Sequence, residues 1–401
     1  KKYVGPGIGY GAIPKDILYR YNAYDVACTW DLKELYERKF ETEPELRRVH
    51  DFLVAVSNEL MYVELNGITV DKAYLDILTE KYLKSLDELE SQLDEIVEGS
   101  TASDIKTYDK AGGINPRSPL QVKKYLDDRG VQVPSTNVEM LETVADKLAQ
   151  MGQKDHEVFK FIQTLLLHRR EAKLYGTYVK GIRKRLYGGR VFPSFLLHGT
   201  TTGRPACRNP NMLNIPRESS IRKLFVPSKP EHVFMQTDYA QAELRVLSYL
   251  AGDTYFRDIF NEGTRDPFNE LMPILYPGVL KEDVGPGVWK DLRVRVKAFV
   301  YGLNYGRKPY SIALEYGISE QEANAMARNF FRVIPEIVDF QEEVKRIVLS
   351  GQDLITPWGR HRRFALVTKE NKNKLMNEAL AFLPQSTASD MCMLAFTKSR
   401  P

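Results

Sequence analysis

The sequence predicts a mixed α/β chain with long helices before and after a small sheet. Apolar residues recur at helical spacing over most of residues 16–184 and again over 266–350. Between these regions, after Gly188-Gly189, short runs of β-branched and aromatic residues are typical of strands. With 401 residues, the chain is long enough for two or three domains.

The amino-terminal half is predicted to be almost wholly helical. The glycine-rich residues 1–15 are expected to form a loop, since no strand precedes their glycines and a proline interrupts them. A helical pattern follows over 16–39, and two long amphipathic helices over 45–99 separate at Asn66-Gly67. Shorter helices are expected at 119–128, 137–151 and 155–184.

Short strands and then further helices are expected in the carboxyl-terminal half. The strand-like runs are 190–197, 224–226 and 233–237. Helical patterns resume at 240–250 and dominate 266–350. A strand–turn–strand pattern spans 354–367, and a last helix is expected to begin near Glu370.

Charge is unevenly distributed along the chain, although the net charge is only +4. Lysine and arginine cluster at 169–185, 290–308 and 357–374, whereas 86–104 is acidic. Such a distribution suits a protein with one surface that faces a polyanion. Helices with solvated charged faces are the alternative explanation.

The cysteine pattern and the hydropathy exclude several classes of protein. Cys28, Cys207 and Cys392 lie far apart and form no CxxC pair, so neither a zinc site nor a disulfide framework is indicated. No run of apolar residues approaches membrane-spanning length. We therefore expect a cytoplasmic protein without a membrane partner.

The first candidate site motif is an apolar run that ends at Asp238. Residues 233–237 are expected to form a strand, and a helix is expected to begin directly after Asp238. The carboxylate can cap that helix. It can also bind Mg²⁺, which prefers oxygen donors from one or two carboxylates together with substrate phosphates. The spacing leaves both interpretations open.

The second motif is a stripe of Arg293, Lys297, Tyr301 and Tyr305, which are four residues apart. This spacing places them along one side of a helix. Two cations suit a polyphosphate, and two aromatic rings suit stacking beside a base and a sugar. An ordinary surface helix can carry the same stripe.

The third motif is the polar, turn-rich segment 198–216, which contains Arg204, Asn211 and Asn214. Irregular segments with amide and guanidinium donors usually lie at a surface where a ligand binds. A solvated loop without a ligand is the alternative.

Taken together and in this order, the three motifs resemble the successive polymerase motifs of the DNA polymerase I family. The matching residues are Thr202-Gly-Arg204, Pro210-Asn-Met-Leu-Asn-Ile-Pro216, Asp238-Tyr-x-Gln-x-Glu-Leu-Arg245 and Arg293…Lys297…Tyr301-Gly…Tyr305-Gly306. Further matches are Thr356-Pro-Trp-Gly-Arg-His-Arg-Arg363, Gln385-Ser-Thr-Ala-Ser-Asp390, Ile114-Asn-Pro-Arg-Ser-Pro-Leu-Gln121 and Val131-Gln-Val-Pro-Ser-Thr136. The resemblance covers essentially the whole chain.

The resemblance implies a right-hand polymerase with a helical thumb, a palm containing a small antiparallel sheet, and mainly helical fingers. The expected bounds are 41–185 for the thumb, 186–252 with 375–401 for the palm, and 253–374 for the fingers. Residues 1–40 would be the end of a 3′–5′ exonuclease domain, because Tyr21-Asn-Ala-Tyr-Asp25 resembles its last motif. Tyr21 and Asp25 would be the exonuclease residues that remain.

The implied reaction is addition of deoxynucleoside triphosphates to a primer 3′-hydroxyl on a DNA template, with release of pyrophosphate. Asp238 would bind two Mg²⁺ ions, and the Tyr239 carbonyl would help to hold one. One ion would lower the pKa of the primer hydroxyl and the other would steady the triphosphate. Lys297 and Arg293 would hold the phosphates and offset charge that develops in the transition state.

The resemblance also implies how the substrate is selected. Glu243 would fill the space of a ribose 2′-hydroxyl and so favour deoxynucleotides. Tyr305 would stack near the templating position, and Gln241 would lie close to the incoming nucleotide. Contacts with the primer–template DNA would come from Arg204, Asn211, Asn214, Arg245 and Gln385.

Several positions depart from the family pattern. Tyr301 stands where many members have Phe, as in some phage replicases, and would allow ready acceptance of dideoxynucleotides. Leu213 replaces a usual Gln and removes one expected minor-groove contact. Asp266-Pro-Phe268 replaces a familiar Asp-x-His, which puts one phosphate ligand in doubt. We therefore expect a phage-like member, acting in a bacterial cell or a phage-infected host.

The third polymerase motif of the family, a His-Asp-Glu, would lie beyond Pro401, and most exonuclease ligands would precede Lys1. We therefore expect a chain cut at both ends that does not proofread and polymerises inefficiently alone. A non-catalytic fragment that binds primer–template DNA is the main alternative, and a polymerase with an RNA product is another. The presence of Glu243 argues against the second, and no processivity factor can be named from the sequence.

Overall fold

A computed structural model describes residues 9–98, 113–216 and 220–399 of the chain. The glycines predicted to form a loop at positions 5 and 7 lie outside these ranges, as does Gly112. The described residues are mostly helical. The helices are α1 (Lys15–Thr42), α2 (Pro44–Asn66), α3 (Lys72–Glu98), α4 (Pro119–Asp127), α5 (Val138–Gln150), α6 (Glu157–Leu174), α7 (Lys180–Arg185), α8 (Ala242–Ala251), α9 (Tyr255–Glu262), α10 (Pro267–Leu275), α11 (Pro286–Asn304), α12 (Pro309–Tyr316), α13 (Glu320–Val333), α14 (Glu336–Leu349) and α15 (Lys372–Lys398).

The predicted helices are confirmed within a few residues of their ends, because local signals define those ends. The Asn137 side chain accepts a hydrogen bond from the Met140 amide and begins α5. Ser319 and Glu322 form a reciprocal capping box that begins α13. At the end of α11, Gly306 has a φ of +79°, which favours glycine. One stretch differs, since residues 175–179 between α6 and α7 form a π-helical turn.

The expected single sheet does not form in the described residues, which contain three separate antiparallel pairs of short strands. These pairs join β1 (Ile68–Thr69) to β2 (Arg190–Val191), β3 (Ser194–Leu196) to β4 (Ala206–Arg208), and β5 (Leu354–Ile355) to β6 (His361–Arg362). The β5–β6 hairpin confirms the predicted strand–turn–strand, whereas the run 224–226 makes one bridge, from Val70 to Phe225. The prediction of a mixed α/β fold is therefore correct only in part.

The strand predicted at 233–237 is wrong for the structure described. These residues are irregular, and Val233, Phe234 and Met235 are largely exposed. An isolated strand leaves its backbone groups without ladder partners, so apolar alternation alone does not stabilise it. No described residue pairs with this run in a strand.

The chain divides into two compact units. The first, which we call the α11 unit, contains residues 9–59, 197–205 and 238–399 of those described. Its larger core joins α8 to α14 through buried residues that include Leu247, Phe268, Phe299 and Phe330. A smaller core packs α14 and the β5–β6 hairpin against α15. Both cores bury apolar side chains, which is the main favourable term in folding.

The second unit, which we call the α6 unit, contains residues 60–98, 113–196, 206–216 and 220–237 of those described. One of its cores packs α3, α4, α5 and α6, and the Tyr125 and Phe161 rings stack there with centroids 3.9 Å apart. Another packs β1 and β2 with α3 and α7. Among the described helices, none has both the length and the apolar composition needed to cross a lipid bilayer.

Candidate active site

Most of the predicted site residues belong to the α11 unit. They are Arg204, Asp238, Tyr239, Gln241, Glu243, Arg245, Arg293, Lys297, Tyr301, Tyr305 and Gln385. Asn211 and Asn214 belong to the α6 unit. Tyr21 and Asp25 lie exposed on α1, where Asp25 raises the pKa of the Tyr21 hydroxyl through its charge.

Glu243, on the first turn of α8, is held at both of its carboxylate oxygens. The Arg204 guanidinium donates to Oε1, and the Tyr305 hydroxyl donates to Oε2. The Glu243 side chain is 21 % exposed, so the bonds are only partly screened by water. Three segments that are distant in sequence therefore meet at one carboxylate whose orientation is fixed.

Tyr305 is a protonated donor at neutral pH. Burial raises the pKa of its hydroxyl, and the neighbouring Tyr301 adds to the rise, while hydrogen bonding with Gln385 and the charge of Arg204 oppose it. The hydroxyl therefore keeps the proton that it donates to Glu243. The Tyr301 ring lies between the rings of Tyr305 and Phe268, with centroid distances of 6.1 Å and 6.2 Å. The Phe268 ring of α10 and the Tyr301 and Tyr305 rings at the end of α11 therefore form one aromatic cluster.

Arg293 forms a two-pronged ion pair with Asp266. Its Nη2 lies 2.6 Å from Oδ2, and its Nε lies 3.1 Å from Oδ1. Asp266 also caps α10 by accepting the amides of Phe268 and Asn269, and Gln241 Nε2 lies 3.4 Å from Oδ2. In the sequence, Asp266 stood out only as part of Asp266-Pro-Phe268, where the replaced His puts one phosphate ligand in doubt. An Asp before a proline is a helix-capping signal, but its distant Arg partner has no local signal.

Lys297 differs from Arg293 because it forms no ion pair within the residues described. Its Nζ lies 5.9 Å from the centroid of Phe268 and 6.0 Å from that of Tyr301. The ammonium group is exposed and is steadied by two aromatic faces. It can therefore bind an anion without first giving up a carboxylate.

Asp238 lies on the exposed, irregular stretch before α8 and does not cap that helix. The N-cap is Gln241, which adopts the left-handed conformation with a φ of 54°. Arg245 shapes this turn, because its Nε donates to Ala240 O at 2.9 Å and its guanidinium stacks on Phe260 at 4.2 Å. The helix-cap interpretation of Asp238 is therefore wrong, and its carboxylate faces outward.

The donor set around Asp238 fits a loosely held Mg²⁺ ion. The Asp238 carboxylate and the carbonyl of Tyr239 are oxygen donors of the kind that Mg²⁺ prefers. No group of three His, Cys, Asp or Glu side chains that could hold a metal occurs in the part of the chain described. An ion here would therefore depend on further oxygen atoms, such as those of substrate phosphates.

Cys392, on α15, is a neighbour of Asp238 that sequence analysis missed. The thiol is exposed enough to react, yet partial burial raises its pKa, the Asp238 charge raises it further, and Arg204 opposes the rise. No motif pointed to this residue, because its position depends on how α15 packs. We expect the reactivity of the Cys392 thiol to change when the charge of Asp238 is removed.

Asn211 and Asn214 take part in different hydrogen bonds, Asn211 through its side chain and Asn214 through its main-chain carbonyl. Asn211 Oδ1 accepts the Leu213 amide at 3.1 Å, and the carbonyl of Asn214 accepts the Tyr178 hydroxyl. The intervening Leu213 is 53 % exposed. The segment is therefore a short 3₁₀ turn braced from inside the α6 unit, with its side chains at the surface.

Comparison with known proteins gives consistent matches. A family model described as DNA polymerase family A matches residues 83–400. The DNA polymerase I of Helicobacter pylori is 26 % identical over 379 residues, which are 92 % of this chain and 39 % of that protein. The DNA polymerase I of Geobacillus stearothermophilus is 27 % identical over 363 residues, 86 % of this chain and 38 % of that protein. The chain spans roughly two fifths of the length of these curated relatives.

A solved structure shows the same fold. It is the POL domain of Pol1 from M. smegmatis in complex with DNA primer-template and dNTP. The TM-score is 0.71 at 24 % identity, covering 86 % of this chain and 58 % of that chain. The arrangement of mostly helical elements described above is therefore shared with that domain.

The Asp266–Arg293 pair predicts a pH-dependent term in stability. Burial alone would raise the pKa of Asp266, but Arg293 and the backbone amides of α10 outweigh it and hold the pKa below the ordinary 3.8. The pair is therefore fully stabilising above that ordinary value and loses its effect as pH falls through the lowered pKa. Asp266→Asn keeps a capping side chain but removes the charge.

We expect Asp266→Asn to lower the free energy of unfolding by about 1 kcal/mol near neutral pH, since partial exposure screens the pair. The difference should shrink as the pH is lowered below 3.8. Denaturant titrations of the parent and the variant near neutral pH and below pH 3.8 measure this difference in the free energy of unfolding. Asp258→Asn, at an exposed ion pair of 3.9 Å, is the control and should change stability by under about 0.5 kcal/mol. A deficit of Asp266→Asn that persists at acid pH would contradict the assignment.

The position of Cys392 predicts that its reactivity follows the charge of Asp238. In a Cys28→Ser background, Asp238→Asn should speed alkylation of Cys392 at mildly alkaline pH, because removing the negative charge lowers the thiol pKa. Mass spectrometry after timed iodoacetamide treatment gives the rate for Cys392, with buried Cys207 as internal reference. Asp258→Asn should leave the rate unchanged. Equal alkylation rates in the parent and in Asp238→Asn would show that the Asp238 charge does not affect the Cys392 thiol.

Proposed function

The chain belongs to DNA polymerase family A, and on that premise we propose that it is the nucleotide-selecting part of a template-directed DNA polymerase. The reaction would add deoxynucleotides to a primer 3′-hydroxyl and release pyrophosphate. The observation that carries the proposal is the Glu243 carboxylate held by Arg204 and Tyr305. Lys297 of α11 adds a cation that has no ion-pair partner among the described residues. Support for the partners comes from the M. smegmatis domain, which was solved with primer-template DNA and dNTP.

Each part of a nucleotide would have its own group on the α11 unit. Lys297 would bind the triphosphate first, because it has no carboxylate partner among the described residues. Arg293 would bind the triphosphate when a phosphate group replaces the Asp266 carboxylate as its partner. The exchange is feasible because carboxylate and phosphate both accept two parallel hydrogen bonds from a guanidinium. Tyr305 would offer its ring near the templating base, and Glu243 would occupy the place of a ribose 2′-hydroxyl.

The chemistry at the primer end would be centred on Asp238. Mg²⁺ bound by Asp238, the Tyr239 carbonyl and substrate phosphates would supply charge stabilisation for phosphoryl transfer. The protein's own cations, Lys297 and Arg293, would offset the charge that develops on the phosphates and the leaving pyrophosphate. In this proposal the Phe268 ring of α10, 5.5 Å from the Arg293 guanidinium and 5.9 Å from Lys297 Nζ, helps to hold both cations in place.

The residues proposed to face the DNA lie at the surface of the turn-rich segment 198–216 and at the start of α8. Asn211, Asn214 and Arg204 would contact the minor groove, whose acceptors are nearly the same for all base pairs. The Leu213 amide bound to Asn211 Oδ1 and the Tyr178 hydroxyl bound to the Asn214 carbonyl would hold this turn in place at the surface. Arg245 would act mainly through the turn at Ala240, because its guanidinium is already engaged there. The thumb, palm, fingers and exonuclease bounds remain predictions.

Primer extension tests the function. The assay uses this chain with primer-template DNA and a correct dNTP. We expect Lys297→Ala to lower kcat/KM for a correct dNTP by about 100-fold, since it removes a donor that stabilises developing charge. Lys290→Ala, an exposed lysine on the same helix, should leave it unchanged. Binding of primer-template DNA without extension would favour the non-catalytic alternative.

Tyr301 predicts tolerance of nucleotides that lack the sugar 3′-hydroxyl. Burial raises the pKa of the Tyr301 hydroxyl, so it keeps its proton and can serve as a hydrogen-bond donor in the site. Tyr301→Phe should lower incorporation of a dideoxynucleotide relative to the deoxynucleotide by about tenfold, the value of one hydrogen bond. Single-turnover incorporation measures the ratio. Tyr310→Phe, at an exposed ring on α12, is the control, and an unchanged ratio in Tyr301→Phe would refute the role.

A further inference from the structure

The turn that carries Arg204 is shaped by its own hydrogen bonds. The Gly203 amide lies 3.4 Å from Thr200 O, and the Thr200 hydroxyl donates to Arg204 O at 2.8 Å. Gly203 has a φ of +70°, a conformation that costs other residues energy. These bonds define the turn but leave its attachment to the rest of the α11 unit to other contacts.

Arg360, just before β6, supplies that attachment. A Cβ atom on Gly203 would lie 2.8 Å from Nε and 2.9 Å from Cζ of Arg360, so the guanidinium lies directly against the glycine. The Ser389 hydroxyl, on α15, donates to Gly203 O at 3.3 Å. Gly203, the residue before Arg204, is therefore in contact with both the β5–β6 hairpin and α15.

Arg360 is itself fixed by a buried partner. Its Nη2 lies 2.6 Å from Asp390 Oδ1, and its backbone amide donates to Thr356 Oγ1 at 3.1 Å. The side chains of Arg360 and Asp390 are 12 % and 1 % exposed. A buried ion pair is a weak source of stability but a strict constraint on direction, because each charge must face its partner. The pair is therefore better suited to orienting neighbouring groups than to stabilising the fold.

We propose that the Arg360–Asp390 pair is a positioning element for sugar selection. It fixes Gly203, the adjacent Arg204 then holds one oxygen of Glu243, and the carboxylate stays where it meets a ribose 2′-hydroxyl. The inference rests on the proposed function, since that function assigns Glu243 to the nucleotide sugar. Neither Arg360 nor Asp390 is placed against substrate or metal, so both act through Arg204.

Sugar discrimination separates positioning from mere stability. We compare kcat/KM for a dNTP and for the matching rNTP in single-nucleotide primer extension. Arg360→Lys keeps the charge but loses the planar fork, and it should lower the dNTP-to-rNTP ratio by about tenfold, mainly through better use of the ribonucleotide. Arg362→Lys is the matched control, because Arg362 also joins this hairpin to α15, through Glu378 at 3.1 Å. Its ratio should stay at the parent value.

A second variant keeps the test decisive if Arg360→Lys folds poorly. Arg360→Met with Asp390→Leu removes both charges together, and such replacements of buried pairs are often neutral for stability. Circular dichroism and thermal unfolding verify the fold, and this variant should also show the lower ratio. An equal fall in Arg362→Lys would assign the effect to general loosening of the hairpin and overturn the proposal.

Glu243→Ala distinguishes failure of the positioning role from failure of the proposed function on which that role rests. If Glu243→Ala lowers the ratio while both Arg360 variants keep it, the positioning role is overturned and the proposed function stands. If Glu243→Ala leaves the ratio unchanged, its assignment to the sugar fails, and the positioning role fails with it. A fall in Glu243→Ala and in both Arg360 variants is the expected result.

Discussion

The candidate site depends on one carboxylate that accepts two directed donors. Glu243 receives the Arg204 guanidinium on one oxygen and the Tyr305 hydroxyl on the other. A carboxylate bonded in this way cannot rotate without losing a partner, and in a partly buried place the lost bond is not fully replaced by water. The loop at 197–205, α8 and the end of α11 are therefore joined by a constraint on angle as well as on distance.

The two cations of α11 differ in their availability to an anion. Arg293 faces Asp266, so any phosphate must compete with a carboxylate of matching geometry. Lys297 lies over aromatic faces, which hold a cation without neutralising it. A polyanion therefore meets an available charge first and a paired one second. This order makes recruitment of Arg293 conditional on a ligand that can replace Asp266, which favours multiply charged ligands over single anions.

Sequence alone predicted the helices and suggested candidate site residues, but it gave little of how those residues contact one another. Helix ends were predictable because caps such as Asn137 and Ser319 act within a few residues. The stripe on α11 was predictable because helical spacing is local. The pair of Asp266 with Arg293 is not, since its partners are 27 residues apart and belong to different helices. The failed strand at 233–237 has the same cause, because a strand is defined by a partner that the pattern does not name.

Gly203, next to Arg204 in the candidate site, lies against the buried Arg360–Asp390 ion pair. Apolar contacts are non-directional, so the core around Phe299 can hold α11 in place without setting the angle of any one side chain. A bidentate guanidinium–carboxylate contact sets both distance and plane. Arg360, buried against Gly203 and Asp390, can therefore transmit a definite orientation to the adjacent Arg204. Its desolvation costs energy, and burial raises the pKa of Asp390 against the opposing influence of Arg360. A cost of this kind is consistent with the proposed role of the pair in distinguishing nucleotides that differ by one hydroxyl group.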